Sequence, residues 1–221
     1  MIRCLVVLFA SSIGIAIFVD AKIIPTMNAS SASLTNRNLI VNGDNANPSD
    51  YQFFIKSQPD SLSHTNDVLC GASLIHSDMI LTAAHCHGGF NYGAMTYDNR
   101  YTTVDLQIAH PDYYRNTDLI NHDIMVLRLS SPLLDIQPVV LNADPDFPIN
   151  KGNTVLLEGL GFGLTEFGIP QNLQVGYFAP ITNAQCFRRL RIANVELTED
   201  ILCVDPLTDD SICSGDSGNY C

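Results

Sequence analysis

Tryptophan is absent from the 221 residues and basic side chains are few, with 11 Lys and Arg against 23 Asp and Glu and a formal net charge of -12 at pH 7. Arg3, Lys22 and Arg37 precede residue 40, so residues 40 to 221 carry 8 basic and 22 acidic side chains, a charge of 8 minus 22, or -14. Such a balance disfavours electrostatic binding to nucleic acid or an anionic membrane and favours solubility and cationic partners. Read from charge alone, an acidic solvated surface without a dedicated partner is the favoured account. No CxxC pair or His/Cys cluster argues for zinc, so no metal is expected. Helix patterns are scarce and no internal repeat is visible. The one long apolar stretch, Leu5 to Val19, has 15 residues, short of the roughly 20 that a membrane span needs. With Met1-Ile2-Arg3 ahead of it and Asp20-Ala21 behind, it reads as a secretory signal over residues 1–21, leaving no membrane segment after cleavage.

Cleavage after Ala21 removes Cys4 and leaves six cysteines, Cys70, Cys86, Cys186, Cys203, Cys213 and Cys221. An even count in a secreted chain reads as a disulfide set. Residues 22–39 are rich in Ser, Asn and Thr, carry the sequon Asn28-Ala29-Ser30, and suit an exposed propeptide. The composition changes at Ile40-Val41-Asn42-Gly43. Short apolar stretches follow, split by Gly, Pro, Asn and Asp: Tyr51 to Lys56, Val68 to Ile75, Met79 to Ala83, Thr103 to Ala109, Ile124 to Leu129, Thr154 to Leu160 and Leu173 to Phe178. This pattern predicts an all-β sandwich or barrel. One short helix is expected over Asn183 to Arg191, opening on an Asn cap, and a single turn over Ala83 to His87.

Three local settings carry chemistry. Leu81-Thr82-Ala83-Ala84-His85-Cys86 offers an imidazole, Asn121-His122-Asp123 opens the apolar run Ile124 to Leu129 with a carboxylate, and Gly215-Asp216-Ser217-Gly218 offers a hydroxyl. A serine hydroxyl attacks an amide only when a base and a group that orients the base are at hand. An imidazole, titrating near neutrality, is suited to be that base. Each residue alone is weak: His64, His76, His87, His110 and His122 read as surface or packing residues, and Asp112, Asp118, Asp209 and Asp210 as solvated loop carboxylates. The conjunction is what counts. The order His85, Asp123, Ser217, with separations of 38 and 94 positions, resembles the trypsin and chymotrypsin-like serine peptidases over residues 40 to 221.

The resemblance implies two antiparallel β-barrels, with His85 and Asp123 from the first and Ser217 from the second. It implies a secreted serine endopeptidase zymogen acting through an acyl-enzyme on protein or peptide substrates, as a monomer and without cofactor. Ser217 would be the nucleophile, His85 the base and Asp123 its orienting group, with the backbone N–H groups of Gly215 and Ser217 as oxyanion hole. It also implies disulfides Cys70–Cys86 and Cys186–Cys203. Leu160-Gly161-Phe162-Gly163 looks like the family's Gly-Trp-Gly segment with Phe162 in place of tryptophan. Ile40-Val41-Asn42-Gly43 resembles the amino terminus made on activation, whose α-ammonium would pair with Asp216. The preceding residue is Leu39, so an activating protease of apolar preference, self-trimming and no activation all remain open. Ser211 falls at the floor of the specificity pocket and suggests large apolar side chains, whereas a shift by one residue would bring Asp210 there and a taste for Arg or Lys. After Gly218 the family continues with Gly-Pro, but here Asn219-Tyr220-Cys221 follows. The implied domain over 40–221 is thus cut short after the nucleophile, with its second barrel incomplete, as in a fragment. Cys221 becomes a substitute partner for Cys213 or a free thiol. The competing expectation, from a different class, is a catalytically impaired homologue acting as a secreted binding or inhibitor protein.

Overall fold

The computed structural model describes residues 8–9, 44–47, 49–58, 70–88, 92–115, 120–141, 157–161, 173–190 and 201–207. The strands in chain order are β1 (Leu8–Phe9), β2 (Asp44–Asn45), β3 (Phe54–Gln58), β4 (Cys70–His76), β5 (Met79–Thr82), β6 (Gly93–Thr96), β7 (Tyr101–Ala109), β8 (Tyr114–Arg115), β9 (Ile120–Asn121), β10 (Met125–Leu129), β11 (Leu157–Gly161), β12 (Gln174–Ile181) and β13 (Ile201–Pro206). One α-helix, α1 (Asn183–Leu190), and a 3₁₀ turn over Ala84–Cys86 complete the described elements. Among them no helix is long and apolar enough to cross a membrane.

Six strands close a barrel in the order β10, β5, β4, β3, β6, β7. Strand β10 shows why the sequence folds this way: Met125, Leu127 and Leu129 are buried while Arg128 between them is exposed, the period-2 alternation of a strand with one face inward. The inward residues meet Ile55, Leu74, Ile80, Val104 and Tyr92 in one core. Outside the barrel Arg128 makes a two-pronged contact with Asp105 on β7, at 2.9 and 3.1 Å. Closure leaves this sheet without a free edge.

A second sheet runs β1, β13, β12, β11, with β2 pairing the start of β12. Leu8–Phe9, within the stretch read as a leader, pairs with Ile201 and Leu202. The second sheet supports its own cluster, Ala46, Leu160, Leu173 and Val175, and this cluster includes Phe54 from the barrel. Neighbouring residues of β3 thus serve two cores, Phe54 one and Ile55 the other, because successive strand residues point to opposite faces. Tyr51 adds a polar tie, its hydroxyl donating to the Glu158 carboxylate at 2.9 Å. Burial, then that carboxylate, hold its phenol well above the ordinary range.

The expected helix is present, but its cap is Thr182 rather than Asn183. The Thr182 hydroxyl accepts from the Gln185 backbone N–H at 3.3 Å, and the Gln185 side-chain oxygen accepts from the Thr182 backbone N–H at 2.9 Å. This reciprocal pair satisfies two donors at the helix start. Both disulfides implied by the resemblance are formed, Cys70–Cys86 with Cα atoms 6.3 Å apart and Cys186–Cys203 at 6.0 Å. The latter ties α1 to β13.

Candidate active site

His85 lies at the centre of the 3₁₀ turn that leaves β5. The Cys86 N–H donates to the Ala83 carbonyl at 3.1 Å and the His87 N–H to the Ala84 carbonyl at 3.0 Å, so the turn is closed by its own backbone. Cys86 in the same turn is bonded to Cys70 at the start of β4. Below it runs a buried polar chain, with the Tyr92 hydroxyl donating to Ser57 Oγ at 3.2 Å and that hydroxyl to the Cys70 carbonyl at 3.2 Å. Tyr92 is 1% exposed, and burial pushes its phenol up to about 12 against the opposing effect of the Ser57 hydrogen bond. The loop beyond is held by Gln107 of β7, whose side-chain oxygen accepts from the Gly88 N–H at 3.0 Å and whose amide donates to the Gly88 carbonyl at 3.1 Å.

Asp123 stands immediately before Ile124 and β10. Pairing of β5 with β10 in the register Met125↔Thr82 brings this end of β10 beside the start of the 3₁₀ turn. Asp123 Oδ1 accepts the backbone N–H of His85 at 2.7 Å, and Oδ2 lies 2.5 Å from His85 Nδ1. The aspartate side chain is 7% exposed and the imidazole 26%. A nearly buried carboxylate with both oxygens engaged fixes the ring and keeps a proton on Nδ1. Nε2 is then the nitrogen able to exchange a proton with a hydroxyl. The two residues that the sequence singled out as base and orienting group are therefore in contact. Ser217, Gly215, Asp216, Ser211, Ile40, Cys213 and Cys221 lie outside the described residues.

Two further features at this site had no sequence signal. Gln107 is one of many polar residues on a strand, and only the β7 register places it against Gly88. His110 and His122, read as surface or packing residues, stack with ring centroids 4.6 Å apart and planes inclined by 17°. Their juxtaposition follows from the pairing of Met125 with Ala109 and from the His110 N–H donating to the Ile124 carbonyl at 2.9 Å. Donor atoms of Cys70, His85 and Cys86 also converge. Both sulfurs of that group belong to the disulfide and cannot hold a metal.

The family model described as trypsin matches residues 40–219. The chain is 31% identical to mouse kallikrein 1-related peptidase b21 over 69% of its own length and 65% of that protein's. It therefore spans somewhat less than two thirds of the mouse relative. It is 28% identical to the fibrinolytic enzyme, isozyme C, of Lumbricus rubellus, over 81% of this chain and 79% of the worm protein. Among solved structures it resembles neuropsin, a serine protease expressed in the limbic system of mouse brain, with a TM-score of 0.63 at 22% identity over 80% of this chain and 79% of neuropsin. At that identity the structural likeness speaks for the fold, two packed barrels, of which the second is here only partly described.

Proposed function

The chain belongs to the trypsin family, and from that premise we propose that it is a secreted serine endopeptidase made as a zymogen, with His85, Asp123 and Ser217 as its catalytic triad. The observation that carries this reading is the two-point grip of Asp123 on His85, one oxygen on the backbone N–H and the other on Nδ1. That grip leaves Nε2 to act. Ser217 Oγ attacks the scissile carbonyl carbon while its proton passes to Nε2, and the tetrahedral oxyanion takes hydrogen bonds from the N–H groups of Gly215 and Ser217. One such donor is worth about 3 to 4 kcal/mol. The imidazolium next gives its proton to the leaving amine as the C–N bond breaks, leaving an acyl-serine. Water enters, loses a proton to Nε2, attacks the ester, and the serine leaves with that proton.

Activation before Ile40 frees an α-ammonium to pair with Asp216, and Ser211 at the pocket floor favours large apolar side chains. The test is to cleave the full-length protein before Ile40 and follow hydrolysis of peptide esters ending in Phe, Leu or Arg. A burst followed by steady turnover, fastest on the apolar esters and absent in Ser217→Ala, is expected. Tight stoichiometric binding of substrate without turnover would instead favour a binding or inhibitor protein that keeps the fold.

A further inference from the structure

We propose that Gln107 is a positioning residue for His85, its side-chain amide pinning the end of the turn that bears the imidazole to the same pair of strands that carries Asp123. What the imidazole then does rests on the peptidase reading. How it is held does not.

Strand β7 begins in regular alternation, with Tyr101 and Thr103 exposed and Thr102 and Val104 buried. The alternation then slips by one. Its pairing with β10 matches Val104 to Leu129 but Leu106 to Arg128, so Asp105 is an extra residue, a bulge that turns over the side chains beyond it. Without that bulge Leu106 and Ile108 would face the barrel interior and Gln107 the outside. In the fold Leu106 and Ile108 are 40% and 54% exposed, while Gln107 is partly buried and in phase with Ala109, which packs on the first core. Burial of apolar surface favours the opposite phase. A strand that shows two apolar residues to solvent and turns an amide inward breaks a local rule, and such breaks collect at functional sites.

The amide meets the chain just beyond the imidazole. Gln107 Oε1 accepts the Gly88 N–H at 3.0 Å and Nε2 donates to the Gly88 carbonyl at 3.1 Å, the same double exchange that a residue of a neighbouring antiparallel strand would make. Gly88 follows His87, where the 3₁₀ turn over Ala84–Cys86 ends and the backbone extends. The chain entering the turn is held at Thr82, whose hydroxyl donates to the Gly71 carbonyl at 2.8 Å. Between these ends Asp123 grips His85 itself. Asp123 lies two residues before Met125, and Met125 pairs with Ala109, two residues beyond Gln107. The β7–β10 ladder thus fixes the distance between the two grips. Both bonds from Asp123 fall on one residue, so by themselves they leave the turn free to pivot about His85. The clamp on Gly88 stops that pivot and sets the direction of Nε2, the atom assigned to exchange a proton with Ser217.

Two substitutions test this role in the full-length protein cleaved before Ile40, with a peptide ester as substrate. Gln107→Leu keeps the size of the side chain and removes both bonds. A misplacement of about 1 Å costs on the order of a hundredfold in rate, and with Asp123 and the Cys70–Cys86 bridge still in place the shift is smaller, so kcat should fall by about tenfold with KM little changed. Gln107→Glu carries its own rescue. Ionised, it has no donor for the Gly88 carbonyl, whereas protonated it restores both bonds, one oxygen accepting and the O–H donating. The ratio of its kcat to the parent's should therefore climb as pH is lowered from about 8 to about 5, toward the ordinary range of a glutamate. Thermal melts across that range verify that each variant is folded at the assay temperature, so the ratio reports position and not the folded fraction. A kcat for Gln107→Leu within about twofold of the parent's, a loss confined to KM, or a Gln107→Glu ratio flat with pH overturns the role. Proton NMR of the His85 Nδ1 proton in the uncleaved protein reads the clamp without substrate. In Gln107→Leu that signal should broaden through faster exchange with water, and a signal as sharp as the parent's overturns the clamp. A parent protein without hydrolysis under any condition refutes the peptidase reading, and the NMR comparison still decides the clamp.

Discussion

Replacing Asp123 by Asn is the perturbation whose outcome the geometry dictates most closely. The carboxylate accepts two hydrogen bonds, one from the His85 backbone N–H at 2.7 Å and one at Nδ1 across 2.5 Å. An amide has only one oxygen. The backbone N–H is a donor in every state of the protein, so the Asn oxygen is expected to stay on it and the Asn NH₂ to face Nδ1. Two donors cannot meet there, and the imidazole must shift its proton to Nε2 so that Nδ1 can accept. Nε2 is then blocked as a base. The loss should be about 10,000-fold in kcat, or about 5.5 kcal/mol of barrier, the size known for the same exchange in the family's type enzyme. The fold should survive, because the Asn still satisfies the buried backbone donor and the change costs at most about 2 kcal/mol in stability. Steady-state hydrolysis of a peptide ester, beside thermal melts of both proteins, separates the two effects. A variant within about tenfold of the parent in kcat would refute the reasoning, as would a larger loss from His122→Ala, the neighbouring residue.

Tyr92 should make the protein sensitive to alkali. Its folded pKa is raised from 10.0 to about 12, so its contribution is fully present below pH 10 and is lost as pH climbs toward 12, by about 3 kcal/mol in all; denaturant melts across that window should show the decline, and Tyr92→Phe should flatten it. Removing the Cys70–Cys86 bridge as a double alanine variant opens a loop of 16 positions, which should lower stability by about 3 kcal/mol in a denaturation curve and depress ester hydrolysis more than the Cys186–Cys203 pair does, since only the first anchors the turn bearing His85. Thr182→Ala should cost about 1 kcal/mol through the lost helix cap, measurable by the same melts, whereas Asn183→Ala should cost less.

The barrel strands were legible where alternation or a continuous apolar run was strong, as in β10 and β4, and the read segments overlap the observed ones with ends displaced by a few residues. Strand β6 was not seen. Its four residues, Gly93-Ala94-Met95-Thr96, have little β character, and a Cβ on Gly93 would come within 2.6 Å of the half-exposed Tyr101 ring on the partner strand, which would have to move aside. Strand β12 was read only to Phe178, yet it continues through Pro180 to Ile181. Among the described residues it is paired beyond Phe178 with β13 and not with β11, and a strand paired on one side tolerates a residue lacking an N–H. Strand β13 escaped notice because Cys203, Asp205 and Pro206 break its pattern. At the site, His85 and Asp123 could be picked out because their local settings resemble those of a known family. Gln107, His110 and the stacking on His122 could not, since long-range register alone brings them to the same place.

Treating the full-length protein, cleaved before Ile40, with an organophosphorus or sulfonyl fluoride reagent and mapping the adduct by mass spectrometry asks whether His85 and Asp123, in contact in the structure, serve an activated serine. One stoichiometric adduct is predicted, on the peptide bearing Ser217, lost in Ser217→Ala and formed far more slowly in Asp123→Asn. Labelling of the alanine variant at the parent's rate, or an adduct confined to another side chain, would contradict the triad.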